Sequence, residues 1–161
     1  MEHIEHIENM EHMELLEKYR TQSLAFIEAA KAFKAADLNT TPDGEWSAAF
    51  VIHHIADAEM QFGVRYANAL AEDNPPITPF DEEKFPGALK YADRSVDNSI
   101  QALIGIHNLN YEILKNASVE DWARESTHPE RGAVKLSSLV KLSANHIESH
   151  IAQLHGLSTA G

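Results

Sequence analysis

Apolar residues along this chain recur at helical rather than strand spacing. From about Met10 to Ala36, residues Met13, Leu16, Tyr19, Leu24, Ile27, Ala30 and Phe33 stand three to five positions apart with charges between them, the pattern of an amphipathic helix. Ahead of it, MEHIEHIENMEHM repeats a His-Ile-Glu theme. A period near three drifts around a helix of about 3.6 residues per turn and holds no single buried face. His3, His6 and His12 could chelate a metal there, but a frayed or solvated extension over residues 1–11 is the plainer expectation.

Thr40, Thr41, Pro42, Asp43 and Gly44 interrupt the pattern, and Ser47 stands where an N-cap belongs. A second helix is expected from about Ser47 to Ala71. Its stretch AAFVIHHIA is apolar nearly all round, which places this helix at the centre of the domain. Pro75, Pro76, Pro79, Pro86 and Gly87 then forbid a continuous helix between Glu72 and Arg94. A connection that long crosses the fold or covers a site.

A third helix is expected from about Ser95 to Lys115, with Val96, Ile100, Leu103, Ile104, Ile106, Ile113 and Leu114 on one broad face. Ser118 and Asp121 form a capping-box pattern for a short turn through Trp122. After the polar loop RESTHPERGA, Ser137 or Ser138 would cap a last helix that runs to about His155 and ends before Gly156. No segment alternates over a strand's length. The expectation is one all-α domain over residues 1–161: a four-helix bundle with a long crossover between its second and third helices and no sheet.

Charge and composition narrow the chemistry. With 13 Lys and Arg against 25 Asp and Glu, the net charge is −12, a repulsive field for polyanions, so nucleic acid is not an expected partner. The chain has no cysteine, which removes disulfides, thiolate metal sites and cysteine nucleophiles. No apolar run approaches the ~20 residues of a membrane span, and the acidic N-terminus is unlike a signal peptide. A cytoplasmic protein without a membrane partner is the expectation.

Ten histidines are the compositional oddity. His146 and His150, four apart on the last helix, are separated by about 40° in azimuth and one turn in height, so both imidazoles can reach one ion. Ligand and structural roles are equally open to the pair on spacing alone. The motif reads H-I-E-S-H; Glu148 follows His146 by two positions and points about 200° away, unlike the glutamate of a zinc-peptidase helix. A third ligand could be His53 or His54, about 100° apart on the central helix, and periodicity does not choose between them. Asp57 and Glu59 could orient an imidazole through its second nitrogen, or could be solvated or paired with Arg65.

The segments GEWSAAFVIHHIADAEMQFGVRYANAL, TPFDEEKF and STHPERGAVKLSSLVKLSANHIESHIAQL resemble the DinB superfamily, most closely its YfiT-like metal-dependent hydrolases and bacillithiol transferases. The resemblance spans roughly Gly44 to Leu154. It implies a four-helix bundle with a divalent metal on three histidines, here His54, directly before Ile-Ala-Asp, with His146 and His150. Members closest to the thiol transferases carry a further histidine where this chain has Ile147. Arg65, Asp81 and His128 fall on positions resembling the family's recurrent Arg, Pro-Tyr-Asp and His-Pro elements, which implies contact with the substrate or with the ligands; each also reads as an ion-paired, capping or loop residue.

The expected function is hydrolysis, or transfer of a low-molecular-weight thiol, on a small-molecule substrate at an open metal site. Imidazole suits zinc or nickel first, with iron or manganese also open. A homodimer is expected from the habit of relatives. The competing reading is a non-catalytic, stress-related helical-bundle homodimer whose metal site is structural or idle.

Overall fold

The computed structural model describes residues 2–42 and 44–159. The His3 side chain lies outside the described residues. Four long helices, α1 (Glu2–Lys31), α2 (Ala48–Ala71), α4 (Val96–Lys115) and α6 (Leu136–Thr159), build the bundle; short helices α3 (Phe85–Ala88) and α5 (Val119–Trp122) and the strands β1 (Glu125–His128) and β2 (Gly132–Lys135) lie in the connections.

The helices form a ring in which α1 packs on α4 and α6, and α2 packs on the same two. Consecutive helices α1 and α2 are therefore diagonal. His53 on α2 meets Ser99 on α4, and further along Gly63 meets Asn110, so α2 and α4 run parallel. His54 meets His146 while Glu59 meets Ser143, so α2 and α6 are antiparallel. A parallel pair of neighbours requires the chain to return over the length of α2, about 36 Å at 1.5 Å per residue. The proline-rich segment makes that return, and its extended backbone carries residues past the flank of α2.

Local chemistry explains most boundaries. Ser47 and Ser95 accept from the amides of Phe50 and Asn98 and cap α2 and α4, and the capping box of Ser118 and Asp121 is formed at α5. Arg124 donates to the Ala69 and Glu72 carbonyls, closing the C-terminus of α2 where a cation is favoured. Helix α1 stops at Lys31 rather than near Ala36 because the Leu38 carbonyl accepts from the Ala49 amide in the first turn of α2, at 2.9 Å, and the chain leaves its helical path to make that bond. At its other end α1 is continuous from Glu2, with Ile4, Ile7 and Met10 exposed and His12 stacked on Trp122 at 5.1 Å.

Further expectations are corrected, among them the absence of any sheet. The polar segment 124–133 was expected as a loop; it contributes to an antiparallel hairpin in which Ser126 pairs with Val134 and His128 with Gly132. Thr127 also bonds the crossover through Ile77 N–H, 2.8 Å, and Pro75 C=O, 2.9 Å. Each strand is only four residues long, too short for alternation to announce it, and the outward bonds of Thr127 go to a distant proline segment. Helix α6 begins at Leu136 without a Ser137 or Ser138 cap and continues through Gly156, whose φ is not positive. A glycine inside a helix costs at most about 1 kcal/mol and does not by itself end it.

Among the described residues no helix is long and apolar enough to cross a membrane. The core comprises Leu16, Tyr19 and Phe26 of α1, Ile52, Ile55 and Tyr66 of α2, Leu103 of α4 and Ile147 and Leu154 of α6. Glu59 is buried within it and accepts from Tyr19 and Ser143. Burial raises its pKa against the lowering effect of those two donors.

Candidate metal centre

Apolar packing on both sides of α2 and α6 aims three imidazoles into one space. His54 is buried beneath the edge of Trp46, with ring centroids 5.2 Å apart. His54 Nε2 lies 3.0 Å from His146 Nε2, which lies 3.1 Å from His150 Nε2. Two nitrogens each 2.0–2.1 Å from a tetrahedral ion are separated by about 3.3 Å, so the donor set fits a single divalent ion with small side-chain adjustments. His54, His146 and His150 form the one cluster of three ligating side chains among the described residues.

Two of the imidazoles, His54 and His146, are held as neutral donors. Burial, with the nearby His150, lowers His54 to about 4. Burial, then His150 and His54, lowers His146 to about 4 against the opposing pull of Glu82. Nδ1 of His150 lies 2.7 Å from Gln153 Oε1. A proton on Nδ1 donated to that oxygen leaves the Nε2 lone pair facing its neighbours. Gln153 was not singled out in the sequence; its signal was its position three residues after His150, on the same helix face.

His53 turns away from this cluster. Its Nδ1 meets Ser99 Oγ at 2.8 Å, and its ring packs on Tyr91 at 5.2 Å. Asp57 belongs to that neighbouring network: it accepts from Tyr91, 2.7 Å, and pairs with both terminal nitrogens of Arg94, 2.8 and 2.7 Å. Neither Asp57 nor Glu59 bonds His54. Glu148 faces α1, where it pairs with Lys18 at 3.2 Å.

The crossover contributes a residue that the sequence reading passed over. Asp81 caps its own turn, accepting from the Glu83 amide and pairing with Lys84 at 3.3 Å. The next residue, Glu82, brings Oε2 to 3.5 Å from His54 Nε2 and 4.0 Å from His146 Nε2. Three consecutive acids in DEEK offered no local means of choosing; the direction of the crossover decides. Arg65 and His128 line a cleft of about 320 Å³ that also includes Glu82 and His146. His128 Nδ1 accepts from the Glu130 and Arg131 amides and so shapes the hairpin turn. A larger cavity, about 640 Å³, opens between the ends of α1 and α6 and shares no residue with the histidine cluster.

The family profile of the DinB superfamily matches residues 3–154. The chain belongs to the DinB superfamily. Its DinB relatives include a "Putative metal-dependent hydrolase" of Bacillus cereus (strain 03BB102), 34% identical over 134 residues that cover 81% of this chain and 77% of the relative. A protein of the same description from Bacillus thuringiensis subsp. konkukian (strain 97-27) matches to the same extent. Among solved structures, the DinB fold here is similar to YfiT from Bacillus subtilis, a four-helix bundle of unusual topology, with TM-score 0.84, 23% identity and coverage of 92% of this chain and 86% of that one. It is also similar to the mycothiol-dependent maleylpyruvate isomerase, with TM-score 0.74, 14% identity and coverage of 89% and 60%. These structural likenesses carry the fold. With the names of the relatives and the histidine cluster, membership of the DinB superfamily supports a metal-dependent, enzyme-like function in coarse terms, with a divalent ion as cofactor.

Proposed function

We propose that the chain is a metal-dependent hydrolase of small amide or ester substrates, with one divalent ion held by Nε2 of His54, His146 and His150. The observation that carries this reading is the meeting of the three nitrogens at 3.0 and 3.1 Å, beside a carboxylate and at the wall of a cleft. An ion held by these three imidazoles would supply Lewis acidity and would lower the pKa of a water toward ~7. Zinc and nickel suit this all-imidazole donor set best, ahead of iron and manganese.

The chain's own groups supply the rest. His54 and His146, lowered to about 4, remain unprotonated donors at neutral pH. Gln153 holds the orientation of His150. Glu82, half exposed at the cleft, is placed to accept the proton of the attacking water and return it to the leaving group. This carboxylate favours hydrolysis, which needs a base for the proton of the water, over thiol transfer, which would need it less. A cysteine-free chain would need its thiol from a separate small molecule.

The test is elemental analysis of untagged protein, followed by ester, amide and thiol-conjugation assays with zinc, nickel and manganese. About one ion per chain and turnover of an ester or amide without added thiol are expected. Turnover that strictly requires a low-molecular-weight thiol would replace hydrolysis with transfer at the same site. A protein that takes up no ion would return it to the non-catalytic reading.

A further inference from the structure

The cleft beside the histidines carries a charge pattern at odds with the rest of this acidic molecule. The chain has five arginines. Arg20, Arg94 and Arg124 each pair with a carboxylate, Glu17, Asp57 and Asp73 respectively. Arg65 and Arg131, the two that line the cleft, form no ion pair among the described residues. With 25 acidic side chains available against 13 basic ones, two unpaired guanidiniums in one cleft are unexpected from composition.

Arg65 is held in place without being neutralised. Its guanidinium carbon lies 5.2 Å from the centroid of the Phe62 ring and 5.4 Å from that of Phe80. One terminal nitrogen makes a long bond, 3.3 Å, to the Thr78 carbonyl, and its buried Nε has no hydrogen-bond partner. A partly buried guanidinium with an unused donor is costly unless something completes it. Arg131 approaches from the hairpin turn, which the His128 ring fixes by accepting the Arg131 amide at 3.2 Å. Burial lowers the Arg65 pKa against the opposing effect of Tyr66, and the charge of Arg131 adds a smaller lowering.

We propose that this cleft binds a small monoanionic substrate, a carboxylate attached to an apolar body, with Arg65 and Arg131 receiving the carboxylate. The proposal rests on the hydrolase reading and adds its substrate class. Two guanidiniums outweigh the Glu82 carboxylate in the cleft, and an ion on the histidines would add to that excess, so an anion is favoured, while the apolar walls limit it to one charged group. The flat guanidinium of Arg65, packed over the Phe62 and Phe80 rings, suits a planar carboxylate. Phe62, Phe80 and Leu139 supply apolar wall for the rest of the molecule, and about 320 Å³ admits only a small one. His146 lines the same cleft, so a scissile bond a few atoms from the carboxylate would reach the histidines.

Calorimetric titration with 4-phenylbutyrate and its uncharged analogue 4-phenylbutyramide tests this, using zinc-supplemented and chelator-treated full-length protein. The carboxylate is expected to bind at least about tenfold more tightly than the amide, the order of a charge-assisted pair. That preference should survive chelation and be largely lost in Arg131→Gln, an exposed position whose variant should fold, and in Arg65→Gln. Equal binding of the two probes, or a preference unchanged in Arg131→Gln and Arg65→Gln, overturns the proposal. So does a preference that both variants keep and chelation removes, since the carboxylate then sits on the ion. The metal reading fails separately, if zinc uptake is absent while the arginine-dependent preference remains.

Discussion

The Nε2 atoms of His54 and His146 lie 3.0 Å apart although their residues are 92 positions apart in the chain. Antiparallel packing of α2 on α6 makes the meeting possible, and burial keeps both rings neutral, each lowered to about 4. Unprotonated nitrogens brought together in a largely apolar wall are poor partners for each other and good partners for a cation.

Glu82→Gln separates proton handling from metal holding. The amide keeps the shape of the side chain and removes its basicity. Hydrolytic kcat should fall by roughly 10²–10⁴-fold, the usual share of a general base, while metal content stays at the wild-type value. A variant that loses the ion instead would make Glu82 a fourth ligand.

Gly63 of α2 lies directly against the Asn110 side chain of α4. A Cβ built there would stand 2.8 Å from Asn110 Oδ1 and 3.2 Å from its Nδ2, and Asn110 is buried and donates to Tyr19. Gly63→Ala should destabilise the protein by about 1–3 kcal/mol. The double variant with Asn110→Ala should recover part of that loss in denaturant unfolding; a fully additive pair would show that the clash is not the cause.

Arg94 and Asp57 form the ion pair that supports the site's neighbour His53, with Arg94 Nε donating to Ser99 at 3.0 Å. Arg94→Met leaves a buried carboxylate with Tyr91 as its remaining donor, and a loss of about 3 kcal/mol is expected. Pairing it with Asp57→Asn should cost less than the sum of the single changes. Strict additivity in urea titrations would contradict the coupling.

His107 sets part of the acid sensitivity. It is 3% exposed, and burial, then the charge of Arg20, lowers it to about 4 from an ordinary 6.5. Between those values the unfolded chain binds the proton and the native chain does not. Stability therefore falls as pH drops from 6.5 toward 4, by about 1.4 kcal/mol per unit for this group. In His107→Leu that share of the slope should disappear from melting curves taken across the window; an unchanged slope would mean that His107 is protonated in the native state.

How much the sequence disclosed follows the range of the forces involved. Ser47 and the Ser118–Asp121 box act within one turn, and both caps stand where spacing placed them, whereas the cap expected at Ser137 or Ser138 does not form. The His146–His150 pair is likewise a property of one helix. His53 and His54 could not be told apart by periodicity because both sides of α2 are buried, one toward Ser99 of α4 and the other toward His146 of α6. The family resemblance made that choice. The hairpin, the reach of Glu82 and the pairing of Asp57 with Arg94 depend on where the crossover returns along α2. That path is set by the parallel arrangement of α2 and α4, which no local pattern encodes.

The most direct test of the metal centre compares two substitutions on one helix face-to-face: His150→Ala, which removes a ligand, and Glu148→Ala, which removes the exposed partner of Lys18. Both alter helix propensity by less than about 1 kcal/mol, so folding should not separate them. Metal content after dialysis against zinc should be about one ion per chain in the wild type and in Glu148→Ala, and should fall well below that in His150→Ala. An ion retained in His150→Ala, or lost on deletion of residues 1–11 instead, would contradict the three-histidine site.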